Sequence, residues 1–467
     1  MPTIYIETHG CQMNEADSQY IADRAAAAGY TIADVPQDAN VLVLNTCTVR
    51  DNAERRAYGR IGHFKELKDA DPGLRVVVAG CLAEQDKDRM RRLAPHVDGL
   101  FGTKELAELG DALASWGPKF EATELSEERA LLLPMGGRAD GIADAFSHLR
   151  AFVTVQRGCS YYCSFCIVPH VRGRFDHRPT ADVIAEVAHK LAAGAREIML
   201  VGQTVNAWKD PVTGADFGDL CRAVAAMPGL ERLAFISPHP KDFTEKMIRD
   251  FAEIPQLNPR VHLPLQSGSD PILRRMNRKY TRAQFEEKVA LVRGYLPGWA
   301  ITTDIIVGFP GETDEDFEAT MQLVERDLFS NAYTFVYSIR RGTPAARWEQ
   351  VPAEISSARY KRLLDAQNAS NRRYHDALVG TTVRALLQGE SRKDPARLAA
   401  KTLHNVTVVA PKPPDYDASL YASEPWIDVR VQTAHVWGTT GTIVARARRF
   451  ENGGVPTAAP IVDLLAI

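Results

Sequence analysis

Three cysteines fall within eight residues near the middle of this 467-residue chain, in Arg157-Gly158-Cys159-Ser160-Tyr161-Tyr162-Cys163-Ser164-Phe165-Cys166. Three thiolates in such a CxxxCxxC loop can hold three irons of a cubane 4Fe–4S cluster and leave the fourth iron without a protein ligand. The open iron can bind the amino and carboxylate groups of S-adenosylmethionine (SAM), whose sulfonium an electron from the cluster then cleaves to give a carbon-centred radical. We therefore predict that Cys159, Cys163 and Cys166 are catalytic cluster ligands.

Two other interpretations of this loop stay open. The cysteines could hold a structural zinc ion, but zinc takes four ligands, usually from paired CxxC motifs, and His170 could be the fourth only in a Cys3His arrangement. They could also be free thiols of a hydrophobic core, since cysteine is often buried. Three cysteines in one short loop favour the iron–sulfur interpretation.

Three more cysteines, Cys11, Cys47 and Cys81, are far apart in sequence but have similar surroundings. Each follows a short apolar run and lies in a polar, turn-forming context: His9-Gly10-Cys11-Gln12, Asn45-Thr46-Cys47 and Gly80-Cys81. Because the carboxyl ends of parallel strands meet at one sheet edge, the three thiols are expected to converge. We predict a second 4Fe–4S cluster there, also with one open iron. Taken singly, each could be a packing residue, and Cys221, on the apolar face of a predicted helix, is assigned to the core.

Cys11, Cys47 and Cys81 require a sheet to position them. Residues 1–117 are accordingly predicted to form a small doubly wound α/β domain. Its buried strands are TIYIE, VLVLN and RVVVAG, which are short, apolar and bounded by polar or Gly-containing turns. Helical patterns lie between them, roughly at 15–28, 52–68 and 84–93. The weak pattern of residues 118–147, which include PMGGRADG, indicates a linker.

Residues 148–374 contain six strand-like runs separated by helical patterns: AFVTVQ, EIMLVG, RLAFIS, RVHLPLQ, ITTDIIVGF and AYTFVYS. Six βα repeats indicate a partial parallel (β/α)6 barrel, since a full barrel needs two more repeats. Helices are predicted at 180–192, 216–227, 281–294 and 314–326, and a further helix at 354–378 is expected to lead outward from the barrel.

Functional residues of such barrels lie at the C-terminal ends of the strands. The residues predicted on this basis to bind SAM are Gly202, Gln203, Ser237, Gln266 and Asp304, with His239 and Ser267 beside them. Hydrogen bonds from these positions suit the methionine and ribose parts of SAM. For His239 and Asp304 a purely structural role stays open.

Residues 375–450 change to short β-rich runs with Gly and Pro between them, which predicts a small antiparallel β-barrel of the kind that binds oligonucleotides. The whole chain has a net charge of -3, yet residues 376–450 contain ten Lys or Arg and seven Asp or Glu. The basic residues concerned include Arg392, Lys393, Arg397, Lys401, Arg446, Arg448 and Arg449. The local excess of positive charge is consistent with RNA binding or with an ordinary solvent-exposed face. Residues 451–467 are assigned to a tail.

Composition limits the class of protein. The chain is 45% hydrophobic and 25% charged, which is typical of a globular protein and excludes disorder throughout. No apolar run approaches the ~20 residues of a membrane helix, and MPTIYIETHG lacks the features of a signal peptide. Seven cysteines without such a signal argue against a disulfide framework, so we expect a cytoplasmic protein with no membrane partner.

Seven segments together resemble the MiaB family of tRNA methylthiotransferases, in the same order and over nearly the whole chain. They are GCQMNEADS, NTCTVRDNAE, AGCLAEQ, GCSYYCSFCIVPHVRG, VGQTVNAW, HLPLQSGSD and IIVGFPGET. Gln12-Met13-Asn14 with Asp17-Ser18 is similar to the branch that acts on dimethylallyladenosine, whereas the ribosomal-protein branch typically has Pro-Lys-Asn there. The chain departs from the family at Gln203-Thr204, where Gln-Asn or Gln-Asp is usual.

The resemblance implies an N-terminal methylthiotransferase domain, a radical-SAM partial barrel and a C-terminal TRAM domain that binds RNA. It implies two 4Fe–4S clusters, one SAM as radical source and a second SAM as methyl donor, with sulfur transferred at the cluster of Cys11, Cys47 and Cys81. The reaction would replace the C2 hydrogen of N6-dimethylallyladenosine at position 37, next to the anticodon of tRNA, by a methylthio group.

The implied partners are the anticodon loop of tRNA and an electron donor such as flavodoxin or ferredoxin, with an unknown sulfur source, and we expect a monomer. Two alternatives stay open: the same chemistry on a ribosomal-protein side chain, and a zinc-containing RNA-binding protein without catalysis.

Overall fold

The computed structural model describes residues 1–48, 51–116, 149–391 and 393–447, and the side chains of 51–53 are left out. The predicted linker 118–147 and the predicted tail 451–467 lie outside these residues. So do Arg392, Arg448 and Arg449 of the basic set.

The N-terminal part is a five-stranded parallel sheet in the order β2-β1-β3-β4-β5. The strands are β1 (Thr3–Thr8), β2 (Thr31–Ile32), β3 (Val41–Thr46), β4 (Arg75–Gly80) and β5 (Gly99–Phe101). The helices are α1 (Gln12–Ala27), α2 (Asp51–Ala70), α3 (Cys81–Gln85), α4 (Lys87–Leu93) and α5 (Leu106–Trp116). The prediction of parallel α/β structure in this region is confirmed.

The sheet is buried on both faces, which explains why the sequences of its strands are continuous hydrophobic runs. Leu42 and Leu44 of β3 pack with Phe64 of α2 on one face. Val41 and Val43, which alternate with them, pack with α1 and α5 on the other face. Because successive side chains of a strand point to opposite faces, both sets are buried, as in a doubly wound fold.

The central part contains the six predicted parallel strands as two three-stranded sheets, β10-β9-β6 and β11-β12-β13, that share one hydrophobic core. These strands are β6 (Arg150–Thr154), β9 (Glu197–Val201), β10 (Arg232–Phe235), β11 (Arg260–His262), β12 (Ala300–Val307) and β13 (Asn331–Val336). A small antiparallel pair, β7 (Gln156–Arg157) and β8 (Asp176–His177), flanks the CxxxCxxC loop.

The helices of the central part begin at residues that cap them. They are α6 (Val168–Arg172), α7 (Thr180–Ala192), α8 (Phe217–Ala225), α9 (Glu245–Ala252), α10 (Asp270–Arg275), α11 (Arg282–Tyr295), α12 (Asp314–Glu325) and α13 (Ala353–Asp376). Asp216, Thr281 and Thr313 each form a reciprocal capping box with the residue three positions later. Such boxes satisfy otherwise unpaired backbone N–H groups, which fixes where α8, α11 and α12 begin.

The two outer strands of this open arrangement are both covered. Gln19 of α1 accepts a hydrogen bond from the backbone N–H of Phe152 in β6. At the other side, Asn371 of α13 donates to the side chain of Asn331 in β13 at 3.0 Å. Helix α13 therefore packs along the last strand, and our expectation that it leads outward from the barrel is wrong.

The C-terminal part is a closed barrel in the order β14-β15-β16-β18-β17. Its strands are β14 (Thr382–Ser391), β15 (Asp394–Thr402), β16 (Thr407–Pro411), β17 (Trp426–His435) and β18 (Gly438–Ala447), with helix α14 (Ala418–Ser423) before β17. We expected an antiparallel barrel, but β16 and β18 pair in parallel. A closed ring with an odd number of strands cannot have every neighbouring pair antiparallel, so one parallel pair is required.

Within the described ranges, no helix combines the length and the apolar character that crossing a membrane requires.

Candidate metal centres

The structure brings Cys11, Cys47 and Cys81 to one edge of the N-terminal sheet. Cys11 is the N-terminal cap of α1, Cys47 follows β3 directly, and Cys81 is the first residue of α3 after β4. Cys11 is exposed, whereas Cys47 and Cys81 are buried. The predicted convergence of these thiols follows from the adjacency of parallel β1, β3 and β4.

A buried amide network holds the loops that carry these cysteines. Asn14 donates to the Asn45 side chain at 3.1 Å and to the Thr46 carbonyl at 2.9 Å. Asn45 in turn donates to the Asn14 carbonyl and to the Ser18 hydroxyl. Both asparagines are fully buried, so each hydrogen bond fixes one cysteine loop relative to the next.

The three thiols differ in their electrostatic surroundings. A hydrogen bond with Cys47, together with the nearby Arg172 cation, lowers the pKa of Cys11 to about 6. Burial raises the pKa of the Cys81 thiol, although the same arginine opposes this. The set therefore contains one readily ionised sulfur at the surface and one in the interior that ionises only beside positive charge.

The CxxxCxxC loop runs between β7 and α6 and is fixed by backbone contacts. Gly158 has φ +72°, and a Cβ there would overlap the Arg174 carbonyl, so the turn before Cys159 requires glycine. Tyr162 has φ 52°, which is uncommon for a residue other than glycine. The Asn277 side chain holds this strained turn by donating to the carbonyls of Tyr161 and Tyr162.

Two side chains from other elements contact the sulfurs of this loop. Arg278 donates from Nη1 to Cys163 Sγ at 3.4 Å, and Thr204 Oγ1 lies 3.3 Å from Cys159 Sγ. Burial raises the pKa of Cys166 to about 12 and also raises that of Cys159. Buried thiols with raised pKa values ionise when a metal shares their charge, so the donor chemistry of this loop fits a metal cluster.

One helical turn joins the two cysteine sets. Helix α6 begins two residues after Cys166, and Ile167 and Val171 pack directly against Cys81. The last residue of this helix, Arg172, donates to Asp17 at 2.9 Å, and both side chains are buried. Arg157, which precedes the loop, lies 3.7 Å from the other oxygen of Asp17. The arginines on either side of the CxxxCxxC loop thus share one carboxylate of the N-terminal sheet domain.

The spacing of the sulfurs bears on the zinc interpretation. Of the residues that the structure describes, only Asp216, Asp219 and Asp250 form a group of three Cys, His, Asp or Glu ligand atoms within 4.8 Å of one another. At least one pair of sulfurs in each cysteine set is therefore further apart. Zn–S bonds of ~2.3 Å would place tetrahedral thiolates about 3.8 Å apart. Neither cysteine set therefore has the arrangement of ligands around a single zinc ion.

Four of the predicted SAM-binding residues follow the C-terminal ends of their strands, whereas Asp304 lies within β12. Gly202 and Gln203 follow β9, and the side-chain oxygen of Gln203 is buried and makes no hydrogen bond within the described residues. Ser237 and Gln266 have φ 56° and 66°, conformations that concentrate at functional sites. Asp304 of β12 lies 3.3 Å from His262, and its carbonyl accepts the backbone N–H of Gln266.

His239 is packed against the cysteine loop. Its ring stacks on Tyr161 with centroids 4.4 Å apart, and burial lowers its pKa to about 2. The ring is therefore neutral, and its Nε2 is buried without a hydrogen-bond partner in the described chain. Because Nδ1 accepts a hydrogen bond from the Lys241 N–H, Nε2 of the neutral ring carries the proton, and a buried donor of this kind is suited to a ligand acceptor.

A cavity of about 430 Å³ adjoins Cys163 and Cys166 on another side of the loop. Its walls include Tyr162, His170, Arg347 and Trp348, so the segment after β13 contributes to it together with the loop. The predicted strand-end residues do not form these walls, and this part of the site was not anticipated.

Sequence reasoning also missed Asp17, Arg172, Thr204 and Arg278 as residues that touch or surround the sulfurs. Asp17 and Arg172 lie in GCQMNEADS and GCSYYCSFCIVPHVRG, and Thr204 is the residue that departs from the family pattern. Their presence in the cysteine-containing segments was the available signal. No local pattern indicated Arg278.

Two family models match the chain. Residues 3–102 match the Uncharacterized protein family UPF0004, and residues 153–324 match the Radical SAM superfamily. Together they cover the two regions that contain the cysteine sets.

Three curated relatives carry the name tRNA-2-methylthio-N(6)-dimethylallyladenosine synthase. The chain is 39% identical to the protein of Moorella thermoacetica over 450 residues, which cover 95% of this chain and 98% of that protein. It is 37% identical to the protein of Desulfitobacterium hafniense, covering 93% and 95%, and 41% identical to that of Alkalilimnicola ehrlichii, covering 87% and 90%.

Solved structures support the fold. The radical S-adenosylmethionine methyltransferase TsrM from Kitasatospora setae, with tryptophan substrate and a SAM analog bound, gives a TM-score of 0.54 at 15% identity. The match covers 74% of this chain and 75% of that one. The same enzyme with cobalamin and a [4Fe-4S] cluster gives a TM-score of 0.52. The shared feature is the mixed α/β radical SAM fold.

The Asp17–Arg172 pair leads to a prediction about stability. Replacing Arg172 by Met should lower the free energy of unfolding by about 3 to 5 kcal/mol, because it leaves the buried Asp17 carboxylate without its closest cation. Urea-induced unfolding followed by circular dichroism measures this change. The double variant Asp17→Asn, Arg172→Met should recover part of the loss.

The exposed pair Arg372–Asp376 provides the matched control, because it is also an Arg–Asp contact of 2.8 Å. Arg372→Met should change the free energy of unfolding by less than about 0.5 kcal/mol. Equal losses in the two single variants would show that the buried pair has no special role.

Proposed function

The chain belongs to the family of tRNA-2-methylthio-N(6)-dimethylallyladenosine synthases, and on that premise we propose which of its residues carry out the reaction. The enzyme is a radical-SAM tRNA methylthiotransferase that converts N6-dimethylallyladenosine at position 37, next to the anticodon, into its 2-methylthio derivative. Its cofactors are two 4Fe–4S clusters and SAM, with one SAM as radical source and a second as methyl donor. When bound, these groups supply the electron that cleaves SAM and a site for the transferred sulfur.

Cys159, Cys163 and Cys166 hold the SAM-binding cluster in this proposal, and Cys11, Cys47 and Cys81 hold the second cluster. The convergence of three thiols at each site is the observation that carries the assignment. A radical is needed because no protein side chain is basic enough to remove an unactivated aromatic hydrogen.

Two buried arginines would balance the negative charge of the thiolates. Arg278 contacts Cys163, and Arg172 lies beside Cys11 and Cys81. Nearby thiolates and Asp17 raise the pKa of Arg172, so this guanidinium remains charged in the interior. Fixed cations of this kind lower the cost of burying anionic sulfur.

Gly202, Gln203, Ser237, Gln266 and Asp304 are the proposed SAM contacts. A Cβ on Gly202 would lie 2.9 Å from Gln156 Oε1, so the backbone at this strand end is closely packed. The unpaired Gln203 oxygen can accept from an amino group, and the Asp304 carboxylate can accept from ribose hydroxyls. His239 Nε2–H is a further donor near the same loop.

The division into a methylthiotransferase domain (1–117), a radical-SAM barrel (148–374) and a TRAM domain (375–450) also belongs to the proposal. The closed five-stranded barrel of 382–447 supports the third unit. Arg397 and Arg446 form exposed ion pairs with Asp394 and Glu424. Such surface pairs are weak, so these arginines can exchange their partners for tRNA phosphates. Flavodoxin or ferredoxin as electron donor, cytoplasmic location and the monomeric state remain predictions.

Metal content tests the assignment of two clusters. Protein purified without oxygen should contain about eight irons, four from each cluster, and no stoichiometric zinc. Replacing Cys11, Cys47 and Cys81 together by Ala should leave about four irons, and so should replacing Cys159, Cys163 and Cys166. Iron and acid-labile sulfide assays measure these values. Stoichiometric zinc in a colourless preparation would favour the non-catalytic alternative.

Single cysteine variants test the division of labour. Cys159→Ala should abolish SAM cleavage, because the cluster that binds SAM loses a ligand. Cys11→Ala should retain cleavage but form no methylthio product. Chromatography of 5′-deoxyadenosine and mass analysis of tRNA nucleosides separate the two effects.

Cys221→Ala is the matched control, since Cys221 is a fully buried thiol in the core of the central part. It should keep both activities and lose only stability. Methylthio transfer by the Cys11 variant would contradict the assignment of the second site.

A further inference from the structure

A second cavity, of about 120 Å³, lies where the central part meets the C-terminal barrel. Arg260, Thr302 and Asn331 at the N-terminal ends of β11, β12 and β13 form one wall, and Lys401 of β15 and Trp437 lie opposite. Because parallel strands begin at this end, the cavity lies at the end of the barrel opposite the cysteine loop. The site described above therefore does not account for it.

The surroundings of this cavity carry an excess of positive charge, most of it partly buried. Lys401, Arg260, Arg232 and Arg150 lie close enough to influence one another, and Glu197 is the carboxylate among them. Arg232 and Glu197 are both buried, and Arg150 binds Glu197 at 3.0 Å. The cavity walls themselves, all within the described chain, include no Asp or Glu. Four cations against one carboxylate leave charge that an anion would neutralise.

Lys401 shows the consequence of this excess. Burial, together with the three arginines, lowers its pKa to about 8. Its Nζ donates to Thr407 Oγ1 at 2.7 Å, and a contact with the Asn405 carbonyl is longer, at 3.4 Å. An ammonium group has three protons to donate, so capacity remains for a ligand oxygen.

Tyr374 provides an independent indication of a ligand. This residue of α13 lines the cavity, and its hydroxyl is buried without a hydrogen-bond partner in the described chain. Nε and Nη1 of the nearby Arg232 are also buried without a hydrogen-bond partner in the described chain, although Nε lies 3.8 Å from Glu197 Oε1. Buried donors are rarely left unsatisfied in native proteins, and an oxyanion in the cavity would accept from Tyr374.

Two exposed aromatic side chains border the cavity. Trp437 is 72% exposed and Tyr333 is 43% exposed, although tryptophan is usually largely buried. Trp437 lies in the turn between β17 and β18, where Gly438 has φ +152° and a Cβ would lie 2.5 Å from the Thr407 carbonyl. This close approach fixes the backbone next to Trp437, whose side chain borders the cavity. Exposed aromatic rings beside cations are typical of sites that stack unpaired bases.

We propose that this cavity is a nucleotide-binding site, in which Lys401, Arg260 and Tyr374 hold a phosphate group and Trp437 stacks on the attached base. A free mononucleotide and an unpaired nucleotide of an RNA chain present the same chemistry. If the ligand is an RNA nucleotide, the inference rests on the proposed function. If it is a free mononucleotide, it does not, because the site is separate from both cysteine sets.

Isothermal titration calorimetry on the full-length, cluster-loaded protein tests the proposal. The probes are uridine 5′-monophosphate, uridine, inorganic phosphate and a single-stranded hexauridylate. Uridine is chosen because SAM carries an adenosine that competes at the radical site. Uridine 5′-monophosphate should bind at least about tenfold more tightly than uridine or phosphate alone, since the base and the phosphate each contribute contacts.

Two variants identify the site. Tyr374→Phe removes only the unpaired hydroxyl and should weaken nucleotide binding about tenfold, as expected for the loss of a hydrogen bond to a charged group. Trp437→Ala should weaken it by a similar factor through loss of stacking. The matched control is Tyr58→Phe, because Tyr58 also has a buried, unpaired hydroxyl but lies in α2 of the N-terminal domain. It should bind as the parent does.

The outcomes distinguish an RNA nucleotide from a free nucleotide, and they distinguish failure of this proposal from failure of the proposed function. Hexauridylate binding that weakens in both variants identifies an RNA nucleotide, and binding of the mononucleotide alone identifies a free one. Phosphate binding as tight as that of the nucleotide, or nucleotide binding unchanged in both variants, would overturn the proposal. SAM cleavage should be unchanged in all three variants, so failure here is distinguishable from failure of the proposed function.

Discussion

The arrangement of this molecule depends on a buried ion pair between Asp17 and Arg172. A carboxylate removed from water requires a partner, and this one has Arg172 and Arg157 from the two sides of the CxxxCxxC segment. The segment that carries Cys159, Cys163 and Cys166 therefore also docks the N-terminal sheet. The CxxxCxxC loop and helix α6 thus help to fix the two cysteine sets relative to each other. Chemistry that must pass from one sulfur site to the other benefits from such a short, rigid connection.

Much of the fold could be predicted because local signals and long-range packing agree. The predicted helix at 180–192 coincides with Thr180–Ala192, and the capping residues Thr281 and Thr313 mark the starts of two others. The C-terminal part was harder, because AAKTLHNVTVVA folds as two strands separated by a turn. Asn405 in that turn has φ 66°, a conformation that asparagine tolerates. The parallel pair that closes the barrel depends on the whole ring and is not visible in any one segment.

For the candidate site too, some features could be predicted from the sequence and others could not. Convergence of Cys11, Cys47 and Cys81 follows from the geometry of parallel sheets, so a sequence pattern is sufficient to expect it. The contacts from Arg278 to Cys163 and from Arg172 to Asp17 join residues 115 and 155 positions apart. No periodicity predicts such pairs, because they depend on how separately folded units dock. The cavity between the central part and the C-terminal barrel is built from β11, β12, β13, α13 and the C-terminal barrel, so it was inaccessible to sequence reasoning for the same reason.

The coverage of β6 and β13 has a consequence for aggregation. An open arc of parallel strands has two free edges, and an unprotected edge is a template onto which strands of other molecules can add. Here α1 covers β6 through Gln19, and α13 covers β13 through Asn371. A strand edge that a helix covers in this way is not available for pairing with a strand of another molecule. The open arrangement of the central strands therefore relies on α1 of the N-terminal domain and on α13 to shield its two outer edges.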